Sequence, residues 1–180
     1  TFTVCIVFGA LIDILTDIFD VVLHEARRLC YGVVQNYINF IGHNIKQGTV
    51  YNATGDGKSA WIDVRDIGAA NAAILSNPST HSSKVYTLTG SESFSLAEGV
   101  ARISKLLNQE IANIPIPHEA ALETMKSYGM SEFVVESVGS MEEATKDGKL
   151  AEVTTDVGTI LGRDPITFAQ FVEAHKMAWK

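Results

Sequence analysis

The chain has 180 residues and a formal net charge of −7, with 46% hydrophobic and 19% charged residues. This composition is typical of a globular domain and excludes disordered, collagen-like and low-complexity proteins. The acidic balance also argues against nucleic-acid binding, because nucleic-acid-binding surfaces are normally basic.

Cys5 and Cys30 are the two cysteines of the chain. They are too few for a disulfide scaffold or a zinc site, so we expect no metal and a reducing, cytoplasmic location. The chain begins at Thr1 rather than at Met. We therefore expect that a preceding segment was removed or that the sequence is a fragment.

Residues 2–23 form the most hydrophobic stretch of the chain. Three aspartates in its second half argue against a membrane span, and the stretch lacks the basic region and cleavage site of a secretory signal. Asp13, Asp17 and Asp20 fall on one helical face, which predicts an amphipathic helix over 10–23. We favour a solvated acidic face over a cation site, and a short strand before Gly9.

From residue 35 onward, turn residues separate short alternating elements. The predicted helices cover 35–46, 67–76, a segment starting after Ser95, 118–128, 131–146, 156–162 and 168–179. The predicted strands cover 49–52, 60–64, 85–89 and an edge strand over 111–116. Asp66, a capping box of Ser95 with Glu98, and Thr167 mark helix starts. This alternation predicts an α/β fold.

Motifs that would identify the chemistry directly are missing from this sequence. It contains no GxGxxG, Walker, GxSxG, HExxH or Tyr-x-x-x-Lys pattern. The segment 55–58, Gly-Asp-Gly-Lys, lies between two predicted strands and indicates a hairpin turn rather than a phosphate cradle. We expect Asp63 or Arg65 to form a local ion pair. The histidines are scattered, and a solvated position is favoured for His81 and His118.

Several segments nevertheless resemble NmrA-like atypical short-chain dehydrogenase/reductases. The string GDGKSAWIDVRDIG at 55–68 and the string KVYTLTG at 84–90 resemble consecutive motifs of that family. Residues 106–117 and 155–168 resemble its later motifs in the same order. Residues 50–54 and 175–179 are most similar to the fungal ergot-alkaloid, agroclavine dehydrogenase-like branch.

The resemblance implies the C-terminal portion of an NAD(P)-binding Rossmann-type fold, without most of the parallel sheet and without the glycine-rich motif. Residues 34–180 would be the C-terminal substrate-binding region, whereas the hydrophobic segment 1–33 does not match. The family reaction is hydride transfer from NADPH or NADH to a small organic substrate, such as an iminium, alkaloid or carbonyl compound. The implied pocket residues are Gln35, Asn36, Tyr37 and Trp61.

Two interpretations remain open at this point. For Tyr37 and Trp61, a place in the hydrophobic core is favoured over a place in the pocket. Since nothing in the sequence would cradle a pyrophosphate, we expect the 180-residue chain alone to be inactive. The alternative function is a non-catalytic redox-sensing or partner-binding module, with residues 2–23 as the surface for a protein partner.

Overall fold

The structure is a computed structural model that describes residues 32–180. The helix predicted over 10–23, the strand before Gly9 and the partner surface 2–23 lie outside the described residues. The same holds for nearly all of the segment 1–33.

Short strands and longer helices alternate along the described residues. The helices are α1 (Asn36–Asn39), α2 (Gly42–Lys46), α3 (Val64–Ser76), α4 (Pro78–His81), α5 (Leu96–Leu107), α6 (His118–Ser127), α7 (Glu132–Lys146), α8 (Asp156–Leu161) and α9 (Phe168–His175), followed by a 3-10 turn (Lys176–Trp179). The strands are β1 (Thr49–Asn52), β2 (Lys58–Ser59), β3 (Phe94–Ser95) and β4 (Ala112–Pro115).

Pairing of the strands is partly parallel, as the predicted α/β class requires. β1 runs parallel to β4, and β2 runs antiparallel to β3. A single parallel bridge joins Val33 to Ile62. Its hydrogen bonds, from Val34 N to Ile62 O and from Ile62 N to Gly32 O, bring the start of α1 beside the segment that contains Trp61.

Two predicted strands are wrong. Pairing within 60–64 is limited to the bridge at Ile62, because β2 already ends at Ser59. The 85–89 region has no ladder partner among the described residues, because side chains supply its hydrogen bonds instead. Asp156 accepts from Thr87 N at 2.6 Å, and the Thr89 hydroxyl accepts from Thr154 N at 2.9 Å.

The helix predicted over 35–46 is divided into α1 and α2. In a continuous helix, the carbonyl of Tyr37 would accept a hydrogen bond from Ile41 N. Instead it accepts from the indole N–H of Trp179 at 2.8 Å, while Ile41 N donates to the carbonyl of Asn36. The indole of Trp179 thus binds the carbonyl oxygen of Tyr37, which would accept the next backbone hydrogen bond in a continuous helix.

Two further local predictions are corrected. The N-cap of α3 is Asp63 rather than Asp66, and its carboxylate accepts from Arg65 N. The turn at 55–58 connects strands of different sheets and is therefore not a hairpin. A Cβ on Gly57 would lie 2.5 Å from the carbonyl oxygen of Thr145, so this turn packs directly against α7.

Other local signals are confirmed. The Ser95–Glu98 capping box begins α5, and Thr167 forms a second box with Gln170 at the start of α9. The main core cluster draws on both ends of the described chain: Val34, Tyr37, Ile45, Val50, Trp61, Phe94, Val100, Ile103, Ile111, Phe168, Phe171, Val172 and Trp179. A smaller cluster, with Ala53, Ala121, Met125 and Val135, lies under α6 and α7. None of the helices within residues 32–180 has the length and apolar character needed to cross a bilayer.

Candidate functional site

A cleft of about 70 Å³ lies between α1, the end of β1 and α7. Its walls are mostly apolar and aromatic, with a few polar groups, which is the usual character of a small-molecule site. The lining residues are Asn36, Tyr37, Phe40, Ile41, Tyr51, Ala53, Thr54, Trp61, Leu96 and Glu142. Complete ligand sites measure roughly 300 to 1,000 Å³, so a bound organic molecule would place only part of itself here.

Three of the four residues predicted for the pocket meet at this cleft. Asn36, Tyr37 and Trp61 line it, because the Val33–Ile62 bridge places the start of α1 next to Trp61. Tyr37 and Trp61 are also core residues, with exposed fractions of 0% and 8%. Gln35 does not line the cleft. Contact of these residues with a ligand remains a prediction.

The aromatic wall of the cleft is rigidly held. The rings of Tyr37 and Trp61 meet edge to face, with centroids 5.0 Å apart. The indole N–H of Trp61 donates to the carbonyl of Phe94 at 2.9 Å. A Cβ on Gly99 would lie 2.1 Å from the Tyr37 hydroxyl, so any larger residue at position 99 would displace the Tyr37 ring. Both rings are therefore fixed before any ligand arrives.

The end of β1 is fixed by a turn around Asn52. Its side-chain oxygen accepts from both the backbone N–H and the hydroxyl of Thr54 at 2.8 Å, and its amide donates to the carbonyl of Gly55. This network holds Ala53 and Thr54 at the cleft. Buried polar groups satisfied in this way stabilise a single conformation.

Gln35 and Asp63 have a structural role beside the cleft. The amide of Gln35 donates to Asp63 at 3.0 Å, and its oxygen accepts from Val64 N. Asp63 also binds the guanidinium of Arg65 at 2.7 Å, which places both residues in a local ion pair, as predicted. These bonds fasten α1 to the first turn of α3 and so position the wall that Asn36 and Tyr37 form.

A His–Glu pair from α6 and α7 places the buried Glu142 at the cleft, with the partly buried His118 behind it. Glu142, 8% exposed, lines the cleft, and its Oε2 lies 2.9 Å from Nδ1 of His118. Burial raises the pKa of Glu142, although the hydrogen bond and charge of His118 and the charge of Lys146 oppose this shift. The carboxyl therefore takes up a proton at a higher pH than an exposed glutamate does.

The expectation that His118 is solvated is wrong. Its ring occupies a slot over Gly139, where a Cβ would lie 3.4 Å from the ring. Sequence reasoning did not detect the pair, because the two residues are 24 positions apart on different helices and belong to no local motif. The sequence feature that could have indicated this pair is Gly139, a small residue one helical turn before Glu142.

A dinucleotide would need a phosphate cradle, and residues 32–180 do not supply one. The glycine-containing turn at 55–58 begins no helix and is closed by the contact of Gly57 with α7. The ammonium group of Lys58 is engaged with Glu98 at 3.1 Å. Nor do three His, Cys, Asp or Glu side chains of this part of the chain converge to hold a metal ion.

Comparison with known proteins finds related oxidoreductases, although no protein-family profile matches the chain. The chain is 31% identical over 146 residues to the NAD(P)H azoreductase of Xenophilus azovorans, covering 81% of this chain and 51% of that protein. It is 24% identical over 134 residues to the agroclavine dehydrogenase of Claviceps fusiformis, covering 74% of this chain and 46% of that protein. The crystal structure of the NADPH-dependent quinone oxidoreductase QOR2 of Escherichia coli matches with a TM-score of 0.70 and 23% identity, covering 78% of this chain and 50% of that chain.

The chain thus spans about half the length of the curated relatives it matches. Its α/β fold is that of the matching half of NAD(P)-binding oxidoreductase structures, which confirms the predicted fold class. The predicted ergot-alkaloid branch is not confirmed, because the agroclavine enzyme is more distant than the azoreductase.

Proposed function

Because the chain is related to NAD(P)H-dependent oxidoreductases and shares their α/β fold, we propose that residues 34–180 carry the substrate-binding region of such an enzyme. The proposed reaction is hydride transfer to a small organic substrate such as an iminium, alkaloid or carbonyl compound. The observation that carries the proposal is the cleft, where the predicted residues Asn36, Tyr37 and Trp61 lie together.

The residues of the cleft would bind and orient the substrate. Rigid aromatic walls exclude water and hold a planar molecule in one orientation, which lowers the entropic cost of reaction. Gln35 acts indirectly by fastening α1 to α3.

The proposed cofactor is NADP or NAD, which supplies the hydride when bound. QOR2 has been crystallised as a complex with NADPH. Because the sequence has no GxGxxG or Walker motif and residues 32–180 form no phosphate cradle, we expect the 180-residue chain alone to show no hydride transfer and no stabilisation by NADPH. The cytoplasmic location also stays a prediction.

Ligand binding can be measured as a shift in the thermal unfolding midpoint of the 180-residue chain, followed by tryptophan fluorescence. The probes are menadione as a quinone, methyl red as an azo compound and N-methylquinolinium as an iminium-type cation. At about 100 times its Kd, a ligand adds about 2.7 kcal/mol, which raises the midpoint by roughly 5 to 10 °C. We expect such a rise with at least one probe.

Two tyrosine variants locate the binding. Tyr51 lines the cleft and is 56% exposed, so Tyr51→Ala removes part of a wall without opening the core. Tyr128 is 78% exposed and does not line the cleft, so Tyr128→Ala is the matched control. Tyr51→Ala should reduce the shift, and Tyr128→Ala should leave it unchanged. No shift with any probe would contradict the proposal and favour the non-catalytic partner-binding module.

A further inference from the structure

Among the ten described residues that line the cleft, Glu142 is the one acidic side chain, and the side chains around it include the aromatic rings of Tyr37, Phe40, Tyr51 and Trp61. The exposed fraction of Glu142 is 8%, so water solvates its carboxylate poorly. A buried carboxylate of this kind is costly unless a positive charge or hydrogen-bond donors compensate it.

Among residues 32–180, the hydrogen-bond partner of this carboxylate is His118. Its Nδ1 faces Oε2 of Glu142 at 2.9 Å, and its Nε2 lies 3.7 Å from Oε1 of Glu143. Lys146, one helical turn beyond Glu142, contributes a weaker favourable charge. The side of Glu142 that lines the cleft is therefore open to a ligand.

The charge distribution of the cleft favours one class of ligand. The faces of aromatic rings carry partial negative charge and attract cations, especially in a desolvated setting. A carboxylate at the same place adds a direct Coulomb attraction, which is stronger than in water because the site is partly buried. A neutral hydrocarbon of the same shape would gain neither contribution.

We propose that Glu142, positioned by His118, selects small planar ligands that carry a delocalised positive charge, as pyridinium and iminium compounds do. This inference rests on the proposed function, since it names the substrate class of the same cleft. Glu142 contacts the ligand, whereas His118 is a positioning residue that holds the carboxylate in place. Gly139 leaves room for the imidazole beside α7, since a Cβ there would lie 3.4 Å from the ring.

The test compares two ligands of nearly equal shape, N-methylpyridinium and toluene, by NMR titration of the 180-residue chain. The wild-type chain should bind N-methylpyridinium about tenfold more tightly than toluene, which corresponds to about 1.4 kcal/mol. Glu142→Gln preserves the side-chain shape but removes the charge. It should weaken N-methylpyridinium binding about tenfold and leave toluene binding unchanged.

Glu136→Gln is the matched control. It changes the net charge by the same amount on the same helix, but Glu136 is exposed and does not line the cleft. Its effect on N-methylpyridinium affinity should stay below about twofold, as expected for an exposed charge screened by solvent. An equal loss in both variants would overturn the proposal, because it would show only the effect of overall charge.

The dependence on pH provides an independent readout. The charge of N-methylpyridinium does not titrate, so any change with pH reports on the protein. As the pH is lowered, Glu142 takes up its proton at a higher pH than an exposed glutamate does, because burial raises its pKa, and the affinity should then fall. Other titratable groups near it are His118, Glu143, Lys146 and the phenols of Tyr37 and Tyr51. Glu142→Gln should abolish the dependence.

Variants of His118 separate positioning from titration. His118→Asn retains a donor near the position of Nδ1 but cannot titrate, whereas His118→Ala removes the donor. The proposal predicts that His118→Asn retains both the affinity and its pH dependence, and that His118→Ala loses affinity for N-methylpyridinium but not for toluene. A pH dependence that disappears in His118→Asn would assign the titration to the imidazole and contradict the proposal.

Failure of this inference differs from failure of the proposed function. If menadione or methyl red binds in a Tyr51-dependent manner while N-methylpyridinium and toluene bind equally, the cleft is a substrate site without charge selection. If no probe binds, both proposals fail. Circular dichroism of each variant confirms that it is folded, so that a lost affinity is not caused by unfolding.

Discussion

At the scale of single residues, Asp63 links α1 to the start of α3. Its carboxylate accepts hydrogen bonds from the amide of Gln35, from Arg65 N and from the Arg65 guanidinium. Burial by itself would raise the pKa of Asp63, but these hydrogen bonds and the charge of Arg65 outweigh it and hold the pKa below its ordinary value of 3.8. The ionised form is therefore the one that stabilises the fold.

Asp63→Asn should lower the free energy of unfolding at neutral pH by about 1 to 3 kcal/mol, because charged hydrogen bonds become neutral ones. The stabilisation by Asp63 is present above pH 3.8 and is lost as the pH falls through the lowered pKa. The difference between wild type and variant should therefore shrink in acid. Urea denaturation at several pH values measures it.

The control for this prediction is Asp147→Asn. Asp147 is exposed and pairs with Lys149 on the surface at 2.7 Å. Its loss should lower the free energy of unfolding at neutral pH much less than the loss of Asp63 does, because solvent screens an exposed ion pair. Equal losses of unfolding free energy in the two variants would contradict this prediction. They would show that the bonds of Asp63 to α1 and α3 stabilise the fold no more than a surface ion pair does.

The residue scale also shows what local sequence can predict. The Asp63–Arg65 ion pair was predictable because the two residues are two positions apart at a helix start. The pairing of His118 with Glu142 was not predictable from spacing, since it depends on how α6 packs on α7 around Gly139. Asn36, Tyr37 and Trp61 were placed together only through the family resemblance.

At the scale of elements, the break between α1 and α2 depends on Trp179. Its indole N–H donates to the carbonyl of Tyr37 at 2.8 Å, and its side chain is 2% exposed. Trp179→Phe keeps an aromatic ring but removes the donor. We expect a loss of about 1 to 2 kcal/mol in unfolding free energy from the broken hydrogen bond.

Trp179→Ala provides the comparison, because it also removes the packing of the ring and should cost about 3 to 5 kcal/mol. Chemical denaturation of both variants separates the two contributions. If Trp179→Phe is as stable as wild type, the carbonyl of Tyr37 finds another donor and the indole is not what divides the two helices.

The elements also show why some predictions failed. The capping box at Ser95 was predictable because all its contacts lie within four residues. The strands predicted over 60–64 and 85–89 were wrong because strand formation depends on a partner distant in sequence. In the first segment Trp61 and Ile62 belong to the hydrophobic core, whereas Asp156 and the hydroxyl of Thr89 make the hydrogen bonds of the second segment.

At the scale of the whole molecule, both ends of the described chain meet at the core beside the cleft. Val34 and Tyr37 pack in one cluster with Phe168, Phe171 and Trp179. The cleft wall therefore depends on the folding of residues 32–180 as a unit. Composition and alternation predicted only the α/β class, whereas the motifs over 34–180 predicted the relationship to NAD(P)H-dependent oxidoreductases that the comparisons show.

The most direct test of the account asks whether a small organic ligand binds beside Trp61. The two tryptophan indole N–H signals of the chain can be followed by NMR while the probe with the largest thermal shift is added. Trp61 lines the cleft, whereas Trp179 is buried in the core and does not line it. The account predicts a saturable shift of the Trp61 signal with a much smaller change at Trp179. An unchanged Trp61 signal at a ligand concentration that stabilises the chain would contradict it.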